Sequence, residues 1–289
     1  MHYEGNVIRP PSEADSILLQ VTVGCTHNAC AFCGAYMGER FRLKDMDTVF
    51  ADIAFAARHM RRQRRVFLCD GDVATLPLRT LAPILERIRR DLPWVTRVGA
   101  YANARGLRAK SVEDLAALRD MGLGMLYMGL ESGDDAVLAA MNKGADVETI
   151  LREAAKVKAA GIKLSVTVLA GLGGEQGWRS HAELTGRALT RMDPDQAAAL
   201  TLIPVPGTPL WSRVQAGEFR LPQGPDMVRE LRLMLEHTHM TRGLFLANHA
   251  SNHVPLKLRM PRDRQAALDL LDAALEGRAP LKPEVLRRL

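Results

Sequence analysis

"SILLQVTVGCTHNACAFC", residues 16–33, joins an apolar run to three cysteines within nine positions: Cys25, Cys30 and Cys33. The run is apolar without clean alternation, so it reads as a strand buried on both faces. The same pattern, strand then loop then amphipathic helix, returns along the chain. VFLC (66–69), TRVGAYAN (96–103), GMLYMGL (124–130), IKLSVTVLA (162–170) and AAALTLI (197–203) read as strands. Residues 46–60, 78–92, 111–122, 147–161 and 179–192 read as helices, the second in spite of Pro83. The third is capped by Ser111 with an acid three positions on. Six β-then-α units in order predict a parallel sheet with helices outside it. They occupy roughly 200 residues, short of the ~250 of a full eight-unit barrel. The expectation is an α/β fold: a partial (β/α)6 TIM-like barrel over residues 1–215. A C-terminal helical extension, 216–289, is expected to pack on the barrel and close it, with helices at 226–239 and 263–276 and a strand at LFLA (244–247).

The chain has 289 residues, 47% hydrophobic and 25% charged, which is ordinary globular composition. Four cysteines are too few for a disulfide framework, so a reducing, cytoplasmic location is expected, with clustered thiols as metal ligands or catalysts. No uncharged apolar stretch is long enough to span a membrane, and the first residues lack a secretory h-region. The net charge of +6 is partly local: ARHMRRQRR (57–65) carries Arg58, Arg61, Arg62, Arg64 and Arg65. This run reads as a solvated helix end, or as a docking patch for an acidic electron donor or RNA.

Gly24 and Asn28 mark a loop, so three thiols there point to a metal more than to packing. Buried thiols are one account. Zinc is another, with His27 as a fourth ligand, although structural zinc prefers two separated pairs. C-x4-C-x2-C with a distant fourth cysteine is also the plant-type two-iron spacing, which would recruit Cys69 at the end of an apolar strand. The remaining account is a 4Fe–4S cluster on Cys25, Cys30 and Cys33, with one iron left open because chemistry needs an open site.

These residues resemble the radical S-adenosylmethionine (SAM) enzymes. The usual motif there is C-x3-C-x-aromatic-C; this chain has one more residue in the first gap and keeps an aromatic, Phe32, before the third cysteine. Further stretches fall in the order those enzymes show. CDGD (69–72) stands where they carry a Gly-Gly-Glu-like turn, so Asp70, Gly71 and Asp72 would hold the methionine amino group; a plain turn with an aspartate cap is the alternative. Asn103, after the third strand, would face the cofactor. GLESG (129–133) is similar to the Gly-x-Glu-Ser run of the oxygen-independent coproporphyrinogen oxidase, methylthiotransferase and cobalamin-dependent branches. Glu131 would then bond the ribose hydroxyls, with Ser132 beside it; a carboxylate ending a hydrophobic strand is hard to explain as packing. Gly171, in VLAGLGGE (168–175), would let backbone approach adenine, and Pro204 opens PVPGTPLW (204–211), another element of those branches.

The whole chain resembles a short coproporphyrinogen-oxidase-related branch of the superfamily, without an auxiliary cluster or a cobalamin domain. The resemblance implies two cofactors, a 4Fe–4S cluster and SAM, together with oxygen sensitivity and a flavodoxin or ferredoxin as electron donor. It implies an enzyme that cleaves SAM to methionine and a 5′-deoxyadenosyl radical, which takes hydrogen from a substrate. NHASNHVP (248–255) is the expected substrate segment, through Asn248, His249, Asn252 and His253. A helical turn would put the two histidines on one face; a polar surface loop is the alternative. Arg40 and Arg42 would bind an anionic substrate, or serve as surface cations. A small-molecule substrate is expected, with no membrane and no nucleic acid. The alternatives are the same chemistry on RNA or protein, and a non-enzymatic iron–sulfur or heme-binding protein.

Overall fold

All six apolar runs form strands, and the computed structural model describes residues 1–287. The first half runs β1 (Ile17–Gln20), β2 (Thr22–Val23), β3 (Arg42–Leu43), α1 (Met46–His59), β4 (Arg65–Cys69), α2 (Leu78–Asp91), β5 (Arg97–Ala102), α3 (Ala104–Leu107) and α4 (Val112–Asp120). The second half runs β6 (Leu123–Glu131), α5 (Asp135–Ala140), α6 (Val147–Ala159), β7 (Lys163–Ala170), α7 (Gly174–Met192), β8 (Gln196–Thr201), α8 (Pro209–Gln215), α9 (Gly224–Glu236), β9 (Leu244–Leu246), β10 (Lys257–Arg259) and α10 (Arg264–Leu275). The strand order is β1-β4-β5-β6-β7-β8-β9-β10, with β2 and β3 paired separately. The α/β class and the six successive units are as expected. Two compact units divide the chain: residues 1–28, 35–128 and 152–164 form one, and 29–34, 129–151 and 165 onward form the other.

In the first unit β1, β4, β5 and β6 are parallel. Register sets Leu18 beside Phe67, Gln20 beside Cys69 and Tyr101 beside Tyr127. One face therefore carries Leu18, Phe67, Cys69, Tyr101 and Tyr127, where the rings of Phe67 and Tyr101 meet edge to face at 5.0 Å. Helix α2 buries Leu81, Ile84, Leu85 and Ile88. Each such side chain contributes about 1.5–3 kcal/mol, so together they outweigh the roughly 3 kcal/mol cost of Pro83 inside the helix. Ser111 caps α4 as expected: its hydroxyl accepts from Asp114 N–H at 3.1 Å, and the Asp114 carboxylate accepts from Ser111 N–H. The edge of β1 is covered by the N-terminal segment. Gln20 exchanges hydrogen bonds with the Glu4 backbone, 2.8 Å each way, and the Tyr3 hydroxyl donates to Leu18 O.

In the second unit β7, β8 and β9 are parallel, and β10 returns antiparallel. The extension is thus more than helical, because β9 and β10 add two strands beyond the six units. Helix α9 packs on α7 at Gly186, where a Cβ would lie 2.4 Å from Met234 O. Helix α7 starts at Gly174, inside the glycine run read as loop, rather than near residue 179. Among the described residues no helix is long and apolar enough to cross a membrane.

Candidate functional site

The β2–β3 hairpin brackets the cysteine segment, with Gly24 at φ +80° directly after β2. Asn28, at φ +37°, staples the loop: its amide donates to Tyr36 O at 2.8 Å and Glu39 O at 3.0 Å. Gly71 lies against this loop. Its N–H donates to Gly24 O, and a Cβ there would sit 2.7 Å from Cys25 Cβ and 2.8 Å from Tyr36 Cε2. Only glycine fits, so the spacing of CDGD brings backbone up to Cys25. None of the four cysteines is joined in a disulfide; Cys25 and Cys30 are half-buried, Cys33 is exposed and Cys69 is buried. Burial pushes the Cys69 thiol up, and the neighbouring Asp70 carboxylate adds to it.

The two aspartates of CDGD are interior. Asp70 accepts from Gln20 Nε2 at 2.9 Å and from the backbone of Gly24 and Ile8; burial pushes its carboxyl up against those bonds. Asp72 accepts from Thr26 Oγ1 at 2.5 Å, Asn103 N at 3.1 Å and Asn103 Nδ2 at 2.7 Å. Burial nonetheless raises it to about 7. Asn103 also caps α3, accepting from Gly106 N–H at 2.7 Å. Its side chain is therefore committed to the loop rather than turned to a ligand. Thr26, which closes this network, carried no signal in the sequence. Arg42, expected to bind an anion, is exposed and paired with Glu4. In this structure its guanidinium therefore faces a carboxylate. The basic run lies where the strands begin: Arg65 precedes Val66, which pairs with Ile17, whereas Cys25 follows the end of β1.

In the second unit, Cys30 to Cys33 close a turn, with Cys33 N–H on Cys30 O at 3.1 Å. Ala31 exchanges backbone bonds with Met141 and Leu210, and Asn142 donates to Ala29 O. Phe32 packs on Ala31, Val137, Met141, Leu172, Leu202 and Leu210, so the aromatic position anchors the turn through its ring. Glu131 ends β6 at φ +62°, and its carboxylate accepts from Lys143 Nζ at 2.8 Å. Burial works to lower the Lys143 ammonium, but Glu131 with Cys30 and Cys33 holds it above its ordinary value. Sequence reasoning missed Lys143, because nothing in MNKG marks which loop lysine will meet Glu131.

Ser132 is fully buried, with its hydroxyl on His181 Nδ1. Gly171, at φ +92°, gives its N–H to Glu230; a Cβ there would lie 2.6 Å from Met227 Cε, so the close neighbour is a methionine. Pro204 is half-buried after β8. The segment after β9 is a turn and not a helix. Asn252 donates to Ala199 O at 2.8 Å and Ala247 O at 2.7 Å, and accepts from Thr201 Oγ1 at 2.8 Å. Its amide thus holds the turn. His253 is buried beneath the start of α9, with Cε1 3.3 Å from a Cβ placed on Gly224. Asn248 is exposed and His249 half-buried, its Nδ1 2.9 Å from Ser251 Oγ.

Among the described residues no three His, Cys, Asp or Glu side chains converge on one metal ion. A four-iron cluster makes a different demand, since each thiolate binds its own iron. The residue types fit it: three thiols that are not fully buried, Cys25 against Gly71 in the first unit, and Cys30 and Cys33 on the turn that Phe32 anchors in the second.

A family profile described as the radical SAM superfamily matches residues 19–181, more than half of the chain. Among solved structures, methylornithine synthase is 17% identical with a TM-score of 0.56, over 77% of this chain and 63% of its own. Coproporphyrinogen III oxidase from Escherichia coli, described as a radical SAM enzyme, is 16% identical with a TM-score of 0.54, over 76% and 50%. A radical SAM methyltransferase from Kitasatospora setae, with cobalamin and a 4Fe–4S cluster bound, is 18% identical with a TM-score of 0.54, over 72% and 41%. These likenesses show the fold, and the matched part of this chain spans less than two thirds of each of those chains. No curated protein matches the chain.

Proposed function

The chain belongs to the radical SAM superfamily, whose enzymes work with a 4Fe–4S cluster and SAM, and from that premise we propose that it takes a hydrogen atom from a small-molecule substrate. Cys25, Cys30 and Cys33 would hold three irons, leaving the fourth for the amino and carboxylate groups of SAM. When bound, the reduced cluster and SAM would supply methionine and a 5′-deoxyadenosyl radical. The observation that carries this reading is the Glu131–Lys143 pair at the end of β6, in the same compact unit as Cys30 and Cys33. Glu131 would accept from the ribose hydroxyls, and Lys143 would hold its carboxylate or meet the SAM carboxylate. The turn at Gly71 would face the methionine amino group through its backbone, since both flanking carboxylates are engaged inside.

A small molecule is favoured over RNA. The arginine-rich run at 57–65 lies at the strand ends opposite Cys25, where a polyanion bound to it would be on the far side from that thiol. The electron donor would be a flavodoxin or ferredoxin. Anaerobic reconstitution tests the reading: about four irons and four sulfides per chain, and reductant-dependent release of 5′-deoxyadenosine from SAM. A two-iron centre that depends on Cys69, or a loaded protein that never cleaves SAM, would sink it.

A further inference from the structure

We propose that Ser132, His181 and Thr185 are positioning residues that hold Glu131 in its binding conformation, an inference that rests on the reading of Glu131 as the ribose ligand. Glu131 has φ +62°, a left-handed backbone that a non-glycine residue keeps only when its surroundings force it. The three residues that follow are each pinned. Ser132 N–H donates to Leu130 O at 2.8 Å, Gly133 N–H to Thr185 Oγ1 at 2.8 Å, and Asp134 N–H to Ser132 Oγ at 2.9 Å. Gly133 leaves no room to shift, because a Cβ there would lie 2.2 Å from Leu184 O. The turn is thus seated on α7.

His181 locks the seat. Ser132, His181 and Glu230 are all fully buried. Imidazole Nε2 lies 3.0 Å from Leu169 O and 3.3 Å from Glu230 Oε1, both acceptors, so Nε2 carries the proton. Nδ1, 2.7 Å from Ser132 Oγ, then accepts the Ser132 hydroxyl proton. That leaves a Ser132 lone pair for Asp134 N–H. Glu230 Oε1 also takes Gly171 N–H at 2.6 Å, so one imidazole ties the turn after β6 to the turn after β7. None of these three side chains reaches solvent, so none can touch SAM. They act through Glu131, whose carboxylate Lys143 holds from the other side.

The test is a double-mutant cycle on the reconstituted holoenzyme, reading SAM affinity by equilibrium dialysis without reductant. Ser132→Ala should weaken SAM roughly tenfold. In a Glu131→Ala background it should change SAM affinity no further, because the residue it positions is gone. A merely structural role would lower the melting temperature and leave the two effects on affinity additive. Thr185→Val, equal in shape, frees Gly133 N–H and gives a second route to the same non-additivity should Ser132→Ala fail to fold. If Glu131→Ala itself leaves affinity unchanged, the ribose reading fails. If Glu131→Ala weakens SAM but Ser132→Ala and Thr185→Val do not, or if their effects add to it, this inference fails and that reading stands.

Discussion

Two polar turns follow strand ends in the second unit, GLESG (129–133) after the body of β6 and NHASNH (248–253) after β9, and both read from sequence as ligand sites. They are built in opposite senses. In the first, Ser132 turns inward to His181, while Glu131 keeps a charged head paired with Lys143 near two thiols. In the second, Asn252 turns inward to Ala199 O, Ala247 O and Thr201, and His253 is buried under α9. The difference is what each backbone leaves unpaired. Strand β8 ends with carbonyls that need donors, and a buried carbonyl without one is costly, so the nearer turn supplies an amide. A polar run after a strand can thus bind a ligand or complete the sheet.

The contrast is sharpest at the metal. Cys30→Ala or Cys33→Ala should yield protein without the cluster, whereas His249→Ala should reconstitute fully; iron and sulfide counts decide it, and iron loss in His249→Ala would erase the distinction. Stability is the next divide. Asn252→Ala leaves two buried carbonyls and the Thr201 hydroxyl without their partner. Urea unfolding should show a loss of about 2–4 kcal/mol, with SAM affinity of the folded protein intact. Glu131→Ala should do the reverse, weakening SAM by about 1–3 kcal/mol, the value of a charge-assisted hydrogen bond, as read by equilibrium dialysis. Equal stability losses in both variants would dissolve the comparison.

The smallest effect concerns pH. Burial, then the Lys282 cation, holds His249 below its ordinary value. The fold therefore favours the neutral ring, and this contribution is present above the unfolded value near 6.5 and lost as pH falls below it. Between pH 7.5 and 5.5 the wild type should lose more unfolding free energy than His249→Gln. Parallel losses would remove His249 as a source of the acid sensitivity.

Legibility followed the range of the forces involved. The six strands, the cap at Ser111 and the thiol spacing are local matters, set by apolar runs and by side chains bonding to backbone three residues away. Strand β9 was legible too, as LFLA. Strand β10, in KLR, was not, because three residues carry no periodic signal and pair only once β9 is in place. Candidate site residues stood out in the sequence where chemistry restricts residue type, as at the cysteines and Glu131.

The sequence by itself determined the β-then-α order, the cluster of thiols and the family to which they point. Tertiary structure alone decided which polar side chains are available. Asn103, Ser132 and Asn252 have the same character on paper as any ligand-facing residue, yet each spends a hydrogen bond on a partner 31 to 53 positions away. Lys143, which no motif marked, pairs with Glu131. The reason is physical: a polar group must be satisfied wherever the fold buries it, and only the packed chain determines which groups are buried and what they meet.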